Sequence, residues 1–415
     1  MFFSTSADLF ATVRYVCRWL ALSVLLGALA GSASALFLIA LDWATGTRVA
    51  HPWLLWGLPA AGFATGWVYH RFGQPVARGN NLLIDEIHDP KALVPKRMAP
   101  LVLVATVVTH LFGGSAGREG TAVQMGGALA DRVTHAFRLD REHRRVLLMG
   151  GIAAGFSSVF GTPLAGAVFG LEVLAIGRLR YDALLACVAS AIVADVVCRA
   201  WGVHHTVYAV PFVPAVSAAG LAATVVAGIA FGVVGRLFAH ATHALAAGFR
   251  RAIRYAPLQP VLGGVLVAAA ATALNVPQYL GLGIPTIEAA FRGPVPVYDF
   301  AGKFAFTVVT LASGFKGGEV TPLFYIGATL GNALGQVLAL PVPVPVLAAL
   351  GFVAVFAGAA NTPIASTIMA IELFGADIGV YAIVACVVAY LFSGHAGIYR
   401  AQRVAVGKGT QAGPE

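Results

Sequence analysis

Long stretches of this chain run for twenty residues or more without an Asp, Glu, Lys or Arg, among them 19–41, 98–117, 146–171, 201–235, 255–287 and 320–371. About 20 apolar residues cross a bilayer as a helix, so the longest of these stretches hold two or three passes each. Only 11% of the 415 residues are charged, against roughly a quarter in an ordinary soluble domain, and 59% are hydrophobic. A soluble globule and a disordered chain are both excluded. Forty-eight glycines and twenty-one prolines follow no Gly-X-Y period, which excludes collagen. What remains is an all-α polytopic membrane protein, with the lipid bilayer as its solvent.

The charge balance, +9, reads as topology. Basic residues gather in short connectors: Lys91, Lys96 and Arg97; Arg138, Arg141, Arg144 and Arg145; Arg178 and Arg180; Arg250, Arg251 and Arg254. Cytoplasmic connectors carry such an excess, and the last 16 residues, with Arg400, Arg403 and Lys408, fit a cytoplasmic tail. Both termini are thus expected in the cytoplasm. No aromatic interleaving or RNA-binding motif accompanies the basic residues, so nucleic acid is not an expected partner. Cys17, Cys187, Cys198 and Cys386 lie in or beside apolar runs without a CxxC pair and imply neither disulfide nor zinc. Arg14 and Arg18 precede an apolar run that continues to Leu41, too long for a signal-peptide core and read here as the first membrane helix.

Comparing the chain with itself exposes a repeat. Residues 151–174 (GIAAGFSSVFGTPLAGAVFGLEVL) match 351–374 (GFVAVFAGAANTPIASTIMAIELF) at an offset of 200. The same offset sets GREGT at 117–121 against GGEVT at 317–321, pairing Glu119 with Glu319 and Thr121 with Thr321. A third pair, GNNLLIDE at 79–86 and GLGIPTIE at 281–288, follows at an offset of 202. The expectation is one transport domain over 1–415, built from halves at roughly 50–200 and 250–400.

Gly- and Pro-interrupted apolar segments at corresponding places in two halves point to broken helices meeting near the bilayer midplane, as in transporters. Such breaks must line a protein-enclosed cavity, because unpaired backbone is not tolerated in lipid. Half-helices that start there present unbonded N–H groups and a positive dipole end, which favours an anion. Glu119 and Glu319 stand beside glycines in these blocks, where a charged carboxylate costs roughly 2.5–3.5 kcal/mol on insertion scales, so they read as functional. An ion pair between Glu119 and Arg118 is the structural alternative. Glu172 and Glu372 read as helix caps or partners of basic connectors. Asp85, Glu86, His88 and Asp89 read as a solvated helix end, not a metal site, and no metal or cofactor is expected. His110 reads as a buried, hydrogen-bonded histidine. GGSAG at 113–117 matches G-x-S-x-G and, with His110 nearby, raises an intramembrane serine hydrolase. Against it, the repeat partner of Ser115 is Phe315.

These blocks resemble the CLC family of chloride channels and anion/proton antiporters. GSAGREGT is similar to the family's gating-glutamate motif, GGEVTP to its G-x-F-x-P motif, GTPLAGAVFGLE to its N-A-P-L-A-G block, and Tyr399 to the tyrosine that closes the inner side of the anion site. The resemblance implies an inverted repeat of about eighteen broken and tilted helices and a homodimer with one pathway per subunit, while the compact size and bare tail suggest a bacterial inner membrane. No cytoplasmic regulatory domain is expected after Tyr399. Departures from the chloride-carrying pattern are specific. Gly79-Asn80-Asn81-Leu82-Leu83 replaces the serine-bearing motif, Thr121 replaces a proline, Val320 the phenylalanine of G-x-F-x-P, Glu319 an apolar residue, and Val173 an inner proton-relay glutamate.

This set is similar to the fluoride-exporting subclass, which implies fluoride export in exchange for protons, with Glu119 as the gating and proton-coupling carboxylate and Glu319 on the proton path. The anion site is expected among Asn80, Asn81, Gly117, Arg118, Gly120, Val320, Thr321 and Tyr399. Fluoride is strongly hydrated, so such a site needs close, strong donors. A chloride channel or chloride/proton antiporter of the same fold is the rival reading.

Overall fold

A computed structural model describes residues 6–91 and 93–409; the extreme ends of the chain, for which a cytoplasmic location is expected, lie outside the described residues. Sixteen α-helices and six 3-10 turns occur among the described residues, which brackets the expected count. The first eight helices are α1 (Ser6–Ala50), α2 (Leu58–Phe72), α3 (Asn80–His88), α4 (Met98–Leu111), α5 (Glu119–Ala136), α6 (Arg141–Phe160), α7 (Pro163–Glu172) and α8 (Leu184–Ala200). The second eight are α9 (Ala218–Ala252), α10 (Gln259–Ala273), α11 (Ile284–Arg292), α12 (Asp299–Ala312), α13 (Val320–Leu338), α14 (Val344–Ala360), α15 (Pro363–Phe374) and α16 (Gly379–Phe392). The two series run in the same order of long and short elements.

Among the described residues, four helical segments, Asp8–Ala50, Tyr181–Ala200, Ala218–Ala252 and Ala256–Ala273, are long and apolar enough to cross a membrane. Many of the others are too short to span alone, and the breaks between them fall inside the protein. α5, α6, α13 and α14 form the centre, with α14 fully enclosed from Val346 to Ala360. α1 packs along α8 and α6, as α9 packs along α16 and α14.

Small residues allow the central crossings. A Cβ on Gly126 would stand 2.1 Å from the Gly151 carbonyl oxygen, and one on Gly327 would stand 2.0 Å from that of Gly351. Only glycine permits helix backbones to approach this closely, and the packing it allows substitutes for a hydrophobic drive that lipid does not supply. α6 and α14 both end in a left-handed residue, Gly161 (φ 72°) and Asn361 (φ 57°), and Pro163 and Pro363 then begin α7 and α15. Left-handed C-caps followed by proline at the first helical position stop one helix and start the next within three residues.

The caps of α7 and α15 cross over. Glu172, at the end of α7, accepts N–H bonds from Ile364 (3.0 Å) and Ala365 (2.8 Å) at the start of α15. Glu372 in turn accepts from Leu164 (2.9 Å) and Ala165 (2.7 Å) at the start of α7. Each carboxylate thus satisfies two orphan donors of the other helix.

The segment after α16 is not a loose tail. Strand β1 (Ala175–Ile176) pairs in parallel with β2 (Arg403–Val404). Lys408 is 9% exposed and donates to the carbonyl oxygens of Tyr390 (2.7 Å) and Gly394, to Ser393 and to Asn361. The acidic run in α3 is likewise only partly solvated. Glu86 is 5% exposed and meets Arg144 at 3.0 Å, which also holds Asp131 at 2.7 Å.

Candidate functional site

The loops before α5 and α13 lie against each other. Gly117 and Gly318 exchange backbone hydrogen bonds, 2.7 Å in each direction, so the two helix N-termini start from one antiparallel bridge. This apposition brings together blocks 200 residues apart in sequence. Glu119 is the first residue of α5 and is fully enclosed. Its carboxylate reaches across to α13: Oε2 accepts from the Thr321 backbone N–H (3.1 Å), and Oε1 accepts a close bond from the Thr321 hydroxyl. A third donor is the backbone N–H of Arg118, 3.1 Å from Oε2.

Thr321 is the second residue of α13, so its N–H is one of the four that a helix start leaves unbonded. The side-chain carboxylate therefore sits where a free anion would be held by the start of α13, and its oxygens stand in for that anion. Arg118 is also an ion-pair partner, with Nε 3.7 Å from Oε1. Consecutive residues within a helix cannot face each other, but Arg118 precedes the first turn as the N-cap of α5, which lets the two side chains approach.

The repeat does not make the site symmetrical. Thr121, the sequence partner of Thr321, turns away and shares a 2.7 Å hydroxyl hydrogen bond with Thr106 of α4. Glu319 therefore has no counterpart of the Thr321 clasp. It is the N-cap of α13, half-buried, and its Oε2 lies 3.7 Å from the position a Cβ would take on Gly120. The Asn80 amide nitrogen lies 3.2 Å from that same position, so glycine at 120 leaves room for both groups. Asn80 Oδ1 is buried with no hydrogen-bond partner among the described residues.

Val320 (1% exposed) and Tyr399 (5%) are enclosed. Asn81 Oδ1 accepts the Ala401 N–H (2.9 Å), and Gln402 donates to the Val173 and Ala360 carbonyls (both 3.1 Å), so the Tyr399 segment is anchored to both series of helices.

Two features escaped sequence reasoning. Phe169 stacks on Phe156 (4.2 Å between centroids), Phe324 on Phe352 (4.0 Å), and Phe356 lies 6.1 Å from both Phe156 and Phe169. The Tyr399 ring meets Phe169 edge-on at 6.4 Å, which ties it to this aromatic wall. In sequence these phenylalanines are indistinguishable from ordinary core. Lys303, fully buried in α12, donates to the carbonyls of Tyr279 (3.0 Å) and Gly281 (2.6 Å), fixing the loop ahead of α11.

The hydrolase reading fails on geometry. Ser115 Oγ is paired with the Thr307 hydroxyl (2.9 Å), while the His110 ring nitrogens face the carbonyls of Thr106 (2.8 Å) and Ala116 (3.0 Å). His110 is thus the buried, hydrogen-bonded histidine that its context suggests, and it does not face Ser115.

Broken helices around a buried carboxylate at apposed N-termini define a class of membrane protein that can hold an anion within the membrane. The chain belongs to the CLC family: the family model described as "Voltage gated chloride channel" matches residues 61–394. It is 61% identical over 407 residues to a "Chloride/fluoride channel protein" of Pseudomonas syringae pv. tomato, covering 97% of this chain and 90% of that one. It is 30% identical over 391 residues to the "H(+)/Cl(-) exchange transporter ClcA" of Vibrio vulnificus, covering 85% and 81%. Its structure is similar to that of a CLC-type fluoride/proton antiporter, with a TM-score of 0.90 and 33% identity over 97% of this chain and 100% of that one. A slow cyanobacterial chloride/proton antiporter shares the fold, with a TM-score of 0.82 and 21% identity over 92% and 96%. The chain is a membrane protein of the CLC fold.

Proposed function

We propose that this protein is a secondary active transporter that exports fluoride in exchange for protons. The observation that carries the reading is the Glu119 carboxylate docked by three donors, one of them the start of α13. Deprotonated, Glu119 occupies the anion position and blocks the path. Protonated, it no longer attracts these donors as an anion does, swings away and leaves them to an incoming ion. One side chain thereby links proton and anion movement. Glu319, across Gly120 from Asn80, receives the proton on the leg where Val173 offers no carboxyl. Asn80, Asn81, Gly117, Arg118, Gly120, Val320, Thr321 and Tyr399 form the anion path, with Val320 and Tyr399 narrowing it.

Fluoride as the cargo is supported by the strength of these donors, which a strongly hydrated ion demands, and by the similarity to a fluoride/proton antiporter. In this reading the protein works as a homodimer in the bacterial inner membrane, with its termini cytoplasmic, and residues 1–415 act as one domain with halves at 50–200 and 250–400. A chloride/proton antiporter is the second reading, favoured by the similarity to the Vibrio exchanger. Efflux of fluoride and chloride from liposomes, with and without an imposed proton gradient, separates the two. Proton-driven fluoride efflux that exceeds chloride efflux supports the proposal, and proton-driven chloride efflux with fluoride excluded overturns it.

A further inference from the structure

We propose that a cavity outside the Glu119 pocket is a second binding site for a small inorganic anion, built on Arg48 and Arg118. It deepens the reading above and rests on it, since it places an outer station on the same anion path. The cavity measures about 710 Å³ and is walled by the end of α1, residues 202–206 and residues 277–286, which run into the first turn of α11. Arg48, Arg118, His204 and His205 line it, against one acid, Asp42.

Both arginines present a buried Nε that has no hydrogen-bond partner among the described residues. Arg48 Nε is buried without a hydrogen-bond partner, and Arg48 has no carboxylate partner among the described residues. Among the described residues, Arg118 Nε is also buried without a hydrogen-bond partner, and its one acid is Glu119 at 3.7 Å. Buried guanidinium N–H groups in native proteins are normally satisfied, and an ion is one of the standard partners. A guanidinium keeps its charge when it is partly buried, so it can hold an anion there. His205 is a weaker contributor, since its Nε2 lies 3.5 Å from Asp195.

The cavity also lies on a definite face. Trp19 of α1 stacks on His143 (5.5 Å), in the first turn of α6 among the basic residues 138–145. Arg48 stands 29 residues further along the same helix, about 44 Å at 1.5 Å per residue. That exceeds the roughly 30 Å of hydrocarbon in a bilayer. The cavity therefore opens opposite the basic connectors, on the outer face by the positive-inside rule. Cationic clefts with low-dielectric walls concentrate anions and speed their arrival. Arg118 belongs to both this cavity and the Glu119 pocket, so an anion released from Glu119's donors passes Arg118 and then Arg48 on its way out.

The test uses the full chain. In vesicles of one orientation at low ionic strength, Arg48→Gln is expected to raise the half-saturating fluoride concentration three- to tenfold on the Arg48 face only, by roughly the loss of one nearby charge. The fluoride-to-proton ratio stays at the wild-type value, high salt shrinks the difference, and Arg48→Lys restores most of the affinity. An unchanged half-saturation, or an equal rise on both faces, overturns the proposal. A second readout does not depend on transport: bromide-soaked wild-type crystals are expected to show anomalous density in contact with the Arg48 guanidinium, absent in Arg48→Gln. A missing wild-type peak overturns the site whether or not transport is coupled. A peak in a protein that does not exchange fluoride for protons keeps the site and removes the transport reading.

Discussion

Replacing Thr321 by valine removes one atom group from the clasp on Glu119 and little else. Valine keeps the size and branching of threonine, and the residue's backbone N–H stays 3.1 Å from Oε2. What goes is the hydroxyl that donates to Oε1. A hydrogen bond to a charged partner contributes about 1.5–3 kcal/mol, so two of three donors remain and the docked carboxylate loses that amount. At about 1.4 kcal/mol per tenfold, its occupancy relative to the swung-out state falls roughly 10- to 150-fold. Anions then enter without waiting for a proton, and coupling slips. The assay is the reversal potential of fluoride flux in liposomes carrying opposed fluoride and proton gradients, with both ions followed by electrode. Thr321→Val is expected to move the reversal potential from the coupled value toward that of fluoride alone. A variant that transports at the wild-type rate with the wild-type ratio refutes the claim that this clasp holds the gate.

Glu319→Gln keeps the side chain's size but cannot carry the proton, so proton-coupled transport is expected to stop; wild-type-like exchange would return the proton path to another residue. Glu172→Ala strands one buried N–H (Ala365) and one part-buried N–H (Ile364) at the start of α15 and, at about 1–3 kcal/mol for the buried group, lowers thermal stability by at least that amount. Glu372→Ala costs less, because Glu372 is more exposed than Glu172; equal melting shifts in detergent would contradict the reciprocal capping. Gly351→Ala places a methyl 2.0 Å from the Gly327 carbonyl oxygen and is expected to abolish monodisperse protein, whereas Gly248→Ala, with nothing within 4 Å, leaves the elution profile unchanged.

Scarcity of charge made the important acids visible: with so few carboxylates in apolar blocks, Glu119 and Glu319 stand out, and the 200-residue offset names Thr321 beside them. An offset shows which residues are equivalent, but not which ones touch. The contact that matters joins Glu119 to the partner of Thr121, and the asymmetry arises because Thr106 already engages Thr121. Nothing in the order of residues announces that hydroxyl pair. The crossed caps of Glu172 and Glu372 show the same limit, since capping was legible and the exchange of helices was not. Arg400, Arg403 and Lys408 look like a cytoplasmic tail, yet Lys408 is drawn in by the carbonyls of Tyr390 and Gly394 at the end of α16, which become apparent only once that helix has an end.

The central claim is that one carboxylate, docked on the start of α13, couples proton to anion. Glu119→Gln tests it most directly: glutamine fills the same space but can neither take up nor release a proton. Fluoride-driven proton uptake in liposomes is expected to vanish in this variant while the protein remains folded. Proton uptake that persists, driven by the same fluoride gradient, would contradict the account.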